Sequence, residues 1–117
     1  MTRPYRVRTA WTASYPTAIA LRAGDPLQLD GRRDSWEGHI WLWAQAQDGR
    51  AGWIPNTLVD TTGGRTTARA DFDAMELSCA EGERLVGLEH GHGWVLCRNA
   101  SGRTGWVPER CLVSVSA

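Results

Sequence analysis

Two stretches decide how this chain is read: Trp41-Leu42-Trp43-Ala44 with Gly52-Trp53-Ile54-Pro55, and Trp94-Val95-Leu96-Cys97 with Gly105-Trp106-Val107-Pro108. They are one pattern written twice at a constant offset of 53 residues, and the register holds through Leu58-Val59 and Cys111-Leu112. Within each stretch small apolar residues alternate with Trp. Leu42, Ala44 and Ile54, or Val95, Cys97 and Val107, fall on one side of a strand; Trp41, Trp43 and Trp53, or Trp94 and Trp106, fall on the other. Between the two arms stand Asp48-Gly49 and Ser101-Gly102, residues that tolerate the positive φ of a tight turn. The pattern predicts two hairpins, each with an aliphatic face suited to a core and an opposite face carrying Trp and a Pro.

The repetition extends outward. Ile19-Ala20-Leu21-Arg22-Ala23-Gly24-Asp25 is answered by Leu77-Ser78-Cys79-Ala80-Glu81-Gly82-Glu83, and Val7-Arg8-Thr9-Ala10-Trp11 by Ala68-Arg69-Ala70-Asp71-Phe72. Frequent Gly and Pro, with no sustained helical periodicity, point to short strands throughout. A unit of this size is a small domain rather than a solenoid repeat. The expected organisation is residues 1–60 as a first domain, 61–67 as a Gly-containing linker and 68–117 as a second domain. Units this small sit near the lower size limit for folding alone.

Composition narrows the function. Formal net charge is zero, so no strong field favours nucleic acid or an anionic membrane. No apolar run follows Met1-Thr2-Arg3-Pro4-Tyr5, and nothing approaches a membrane-spanning length. Three cysteines, Cys79, Cys97 and Cys111, form no framework, which suits reduced thiols and a cytoplasmic location. His90-Gly91-His92 fits no zinc spacing and reads as loop histidines. No thiol is set beside a base, and there is no phosphate loop, so neither an enzyme nor a cofactor or metal is expected. Seven Trp among 117 residues remain to be explained.

The order of these features resembles the Src homology 3 family, over nearly the whole chain in two copies. The family's opening A-L-Y-D-Y is echoed by Ala68-Arg69-Ala70-Asp71-Phe72 and its L-S-F-x-x-G-D/E by Leu77-Ser78-Cys79-Ala80-Glu81-Gly82-Glu83. Trp41 and Trp94 stand where its Trp pair begins, and Gly52-Trp53-Ile54-Pro55 and Gly105-Trp106-Val107-Pro108 match its closing G-Y-I-P. The resemblance implies an all-β fold, two small five-stranded barrels in tandem, and a groove for Pro-rich peptides. It also implies a departure. The groove's tyrosine positions hold Thr9 or Ala70 and Leu58 or Cys111, which cannot wall a proline pocket, so a standard Pro-x-x-Pro ligand is not expected.

The groove residues carried over are Trp11, Trp41, Trp53 and Pro55 in the first unit and Phe72, Trp94, Trp106 and Pro108 in the second. Trp36, in the longer polar stretch of the first unit, is a ligand contact or a lid over its own domain. Asp73 and Glu76 are the acids placed to meet a basic ligand residue. The expected function is a non-catalytic adaptor or scaffold of bacterial type that binds a peptide segment or a partner protein. Two alternatives stay open: aromatic faces buried between the units or between two copies, and a relative that binds cell-wall peptides.

Overall fold

The computed structural model describes residues 2–13 and 18–115. They form strands β1 (Arg3–Val7), β2 (Ala20–Leu21), β3 (Leu27–Trp36), β4 (His39–Ala46), β5 (Ala51–Pro55), β6 (Val59–Asp60), β7 (Thr67–Ala68) and β8 (Phe72–Asp73). Then follow β9 (Arg84–Gly91), β10 (Trp94–Arg98), β11 (Thr104–Pro108) and β12 (Leu112–Ser114). No α-helix occurs among the described residues, and the all-β expectation agrees. The two repeated hairpins are β4–β5 and β10–β11, with Trp43 opposite Trp53 and Leu96 opposite Trp106.

The strands gather into two compact units that do not follow the repeat. One holds residues 2–13 and 76–115; the other holds 18–75. In the first, the sheet order is β11-β10-β9-β1-β12, so β1 lies between β9 (Tyr5 opposite Leu85) and β12 (Tyr5 opposite Ser114). In the second, β3-β4-β5 form a three-stranded sheet, and β2-β8 and β6-β7 form two-stranded ones. No closed barrel is described.

The backbone hydrogen bonds show an exchange of opening strands. The Val7 N–H donates to Glu83 O (2.9 Å) and Val7 O accepts from Gly82 N (2.7 Å); Ala68 makes the same pair with Asp25 (2.9 Å) and Gly24 (2.7 Å). Arg8 N donates to Cys111 O as Arg69 N does to Leu58 O, both at 2.7 Å. Trp11 exchanges both bonds with Cys79, at the place where Phe72 pairs with Leu21. The opening strand of each repeat therefore lies in the body of the other. This corrects the expected boundaries 1–60 and 68–117.

The expected linker 61–67 is corrected too. Its Thr62–Gly64 form a 3-10 turn, and Val59 and Asp60 pair with Ala68 and Thr67 across it. It is a hairpin connection inside one unit, where pairing of its flanks, invisible in its composition, decides the conformation.

Each unit has its own core on the face that alternation assigns. Val7, Val95, Cys97 and Val107 are fully buried in one, and Ile19, Ala44 and Ile54 in the other. The Trp of β4, β5, β10 and β11 are partly buried. Burying one such aliphatic side chain stabilises by about 1.5–3 kcal/mol, which is why the register of these hairpins is strongly specified.

Candidate functional site

In the unit containing Trp94, the β10–β11 pairing sets Trp94 opposite Pro108, and Trp94 is partly buried. Trp11 arrives from residues 2–13 and stands edge-to-face on Trp94, with ring centroids 5.6 Å apart and planes at 82°. This arrangement matches the quadrupoles of the two rings. The Trp11 Nε1–H donates to Glu76 Oε1 at 3.0 Å, and the Arg110 guanidinium carbon lies 6.0 Å from the Trp11 ring centroid. A partly exposed aromatic pair is thus flanked by a carboxylate and a guanidinium. Trp106 is also partly buried; its carbonyl accepts the Leu77 N–H at 3.0 Å and so fixes the segment that carries Glu76.

In the other unit Trp41 pairs with Pro55, and Trp43 stands edge-to-face on Trp53 at 5.2 Å and 75°. Opposite Trp43, β3 carries a bulge between Leu29 and Arg33. Gly31, at φ 91°, turns the bulge and lets Arg32 fold back. The Arg32 guanidinium lies 4.6 Å from the Trp43 ring centroid, within cation–π range. Its Nε–H donates to Asp30 Oδ2 at 2.7 Å. The hydrogen bond from the Arg32 backbone N–H, then the one from its guanidinium, holds the Asp30 carboxyl below the usual range. The same clasp recurs at the turn Asp48-Gly49-Arg50, where Arg50 holds Asp48 down in the same way.

The structure divides the residues expected to act together. Trp11, Glu76, Trp94, Trp106 and Pro108 belong to one unit; Trp36, Trp41, Trp53, Pro55, Phe72 and Asp73 belong to the other. Phe72 packs against the core beside Leu21, and Trp11 takes the place beside Trp94 that was expected for Phe72. Asp73 pairs with Ala20 and its Oδ1 accepts the Met75 N–H at 2.9 Å, so it does not share a site with Glu76. Pro108 is under 2% exposed and cannot offer a face to a ligand, whereas Pro55 stays partly exposed. Trp36 is not in a loop. It ends β3 and pairs with His39 across a Glu37-Gly38 turn whose φ values, 50° and 81°, suit a tight hairpin. His90, read as a loop residue, lies in β9 with Nε2 2.8 Å from the Tyr5 hydroxyl.

Sequence reasoning passed over Arg110 and Arg32 as the ring partners of Trp11 and Trp43. A usable signal for Arg32 was present: Asp30-Gly31-Arg32 and Asp48-Gly49-Arg50 are the same tripeptide.

No curated protein and no solved structure matches the chain. Among family models, residues 4–61 match the one described as the variant SH3 domain. The matched stretch crosses the exchange, since residues 4–13 lie in one compact unit and 18–61 in the other. The match covers just under half of the chain and likens residues 4–61 to a single domain of that kind.

Proposed function

We propose that this chain is a non-catalytic protein- or peptide-binding module, used as an adaptor or scaffold, whose principal contact surface is the Trp11–Trp94 pair with Glu76. The supporting observation is the edge-to-face indole pair, held by a carboxylate yet left partly exposed. Paired aromatics on a surface supply large, rigid contact area at low entropic cost. The ligand is a segment anchored by an Arg or an aromatic side chain rather than a Pro-x-x-Pro peptide. Leu58 and Cys111, both buried, stand where aromatic walls would have to be. The Arg32–Trp43–Trp53 cluster is a second, independent contact surface on the other unit. The location is cytoplasmic, in keeping with three buried thiols.

A cation–π and charge contact of this kind is worth about 1–2 kcal/mol when partly desolvated. Binding at one surface is then weak, with Kd on the order of tens to hundreds of micromolar. The test is titration of the full chain with Arg-containing, proline-poor peptides and with Pro-rich peptides, followed by nuclear magnetic resonance shifts. Trp94→Ala should abolish binding of the Arg peptides. Tighter binding of the Pro-rich set, or indifference to Trp94→Ala, refutes this reading.

A further inference from the structure

The two opening segments, residues 5–11 and 66–72, have equal length and equivalent hydrogen bonds, so backbone geometry gives neither a preferred body. Side chains do. We propose that the exchange is encoded: segment 5–11 is matched by volume and polarity to the body 76–115, and segment 66–72 to the body 18–60.

Volume is the first part. A Cβ on Gly87 would lie 2.4 Å from Tyr5 Cε2 and 2.9 Å from Tyr5 Cδ2, so the Tyr5 ring occupies the space that the glycine vacates. Gly87 pairs with Cys97; the residue paired with the equivalent Ala44 is Leu29. Residue 66, which corresponds to Tyr5, is Thr. The large ring thus faces Gly in one unit, and the small side chain belongs to the body with Leu in the other. Val7 and Ala68 follow the same rule. Val7 shares its core with Cys79 and Cys111, whereas Ala68 shares its core with the larger Leu21 and Leu58 at the equivalent places. Pairing each segment with its own repeat would bring Tyr5 to the strand that carries the partly exposed Leu29 in place of Gly87, and would leave Thr66 to cover the space beside Gly87. An unfilled space and an overfilled one both destabilise.

Polarity is the second part. The Trp11 Nε1–H finds Glu76, and Phe72, which has no N–H, lies in the body where the same place is held by Ala18. The Tyr5 hydroxyl finds His90 at 2.8 Å. Asp71 Oδ1 accepts the Ala23 N–H at 2.8 Å; in the other body that donor would come from Glu81, which carries its own carboxylate. In the direct pairing the Trp11 indole N–H loses its carboxylate partner and Asp71 meets a like charge.

The test trades residues 5–11 and 66–72 as blocks in the full chain, leaving both bodies untouched. Side-chain matching requires the tyrosine ring, now at position 66, to show nuclear Overhauser contacts to the Gly87 α protons, as Tyr5 does in the unaltered chain. Contacts from that ring to the Leu29 methyls instead mean that connectivity sets the pairing, and overturn the proposal. If the block variant does not fold, a double-mutant cycle on the natural order decides. Gly87→Ala should shift the unfolding equilibrium at least tenfold, and adding Tyr5→Ala should make the Gly87→Ala step nearly neutral. Additive effects of the two substitutions overturn the proposal equally.

Discussion

Gly52 and Gly105 hold the same place in the two hairpins, yet alanine should be tolerated at one and not at the other. A Cβ on Gly105 would sit 2.7 Å from both Glu76 C and Leu77 N and 2.9 Å from Leu77 Cβ. Those are mostly backbone atoms, held by the Leu77 N–H to Trp106 O bond of 3.0 Å. A Cβ on Gly52 meets only the Ile19 side chain, with its Cγ2 at 3.2 Å. Gly105→Ala must push the 76–77 segment outward. Overpacking of this kind costs roughly 1–3 kcal/mol, and weakening the backbone bond costs about 1 kcal/mol more. A loss of about 3 kcal/mol is expected. At Gly52 a small rotation of Ile19 relieves the contact, and alanine's lower unfolded-state entropy offsets part of the cost, leaving about 1 kcal/mol or less. Urea unfolding followed by Trp fluorescence, with m-values compared to confirm like-for-like transitions, measures both. Equal losses for the two variants, or a larger one at Gly52, would refute the close approach of β11 to residues 76–77.

Two further outcomes are expected. Burial, then the neighbouring Cys79, pushes the Cys97 thiol up to about 12, and burial raises Cys79 in the same direction. A folded value above the unfolded one means stability that is whole below about pH 8.5 and lost as pH rises toward 12, at up to about 1.4 kcal/mol per pH unit for Cys97; denaturation at pH 8 and 10 should show a smaller loss in Cys97→Ala than in the parent. At Gly31 a Cβ meets nothing within 4 Å, so Gly31→Ala isolates the backbone cost of φ 91°, about 1 kcal/mol; a neutral substitution would argue against the bulge that brings Arg32 over Trp43.

The strands and their faces were legible because alternation is local: Val95, Cys97 and Val107 can be assigned to a core from their spacing alone, and they are fully buried. The exchange was not legible in the repeat. Two segments that share one pattern compete for two bodies that share another, and only the cross-terms, Tyr5 with Gly87 or Asp71 with Ala23, break the tie. Those terms need registers that no single segment contains. For the same reason Trp11 was assigned to the wrong surface although its type was read correctly. Trp36 was misplaced because Asp34-Ser35 before it reads as loop, whereas Asp34 and Ser35 pair with Trp41 and Ile40, and Trp36 with His39, across the hairpin. The burial of Pro108 against the partial exposure of Pro55 distinguishes two residues that the repeat makes identical.

The position of β1 between β9 and β12 has a consequence for how the chain is made. Residues 18–75 contain every strand of their unit and can complete their sheets early in synthesis. Tyr5 precedes that unit in the chain and must wait for Leu85 and then Ser114 before its strand is paired on both sides. At translation rates of about 5–20 residues per second this wait lasts roughly 5–20 s. Until Leu85 arrives β1, bearing Tyr5 and Val7, has neither neighbour, and until Ser114 arrives it keeps one edge open to any other sheet. Slowing synthesis beyond residue 75 would prolong this exposure, and yield in vivo should fall with the delay while the stability of the finished protein stays the same.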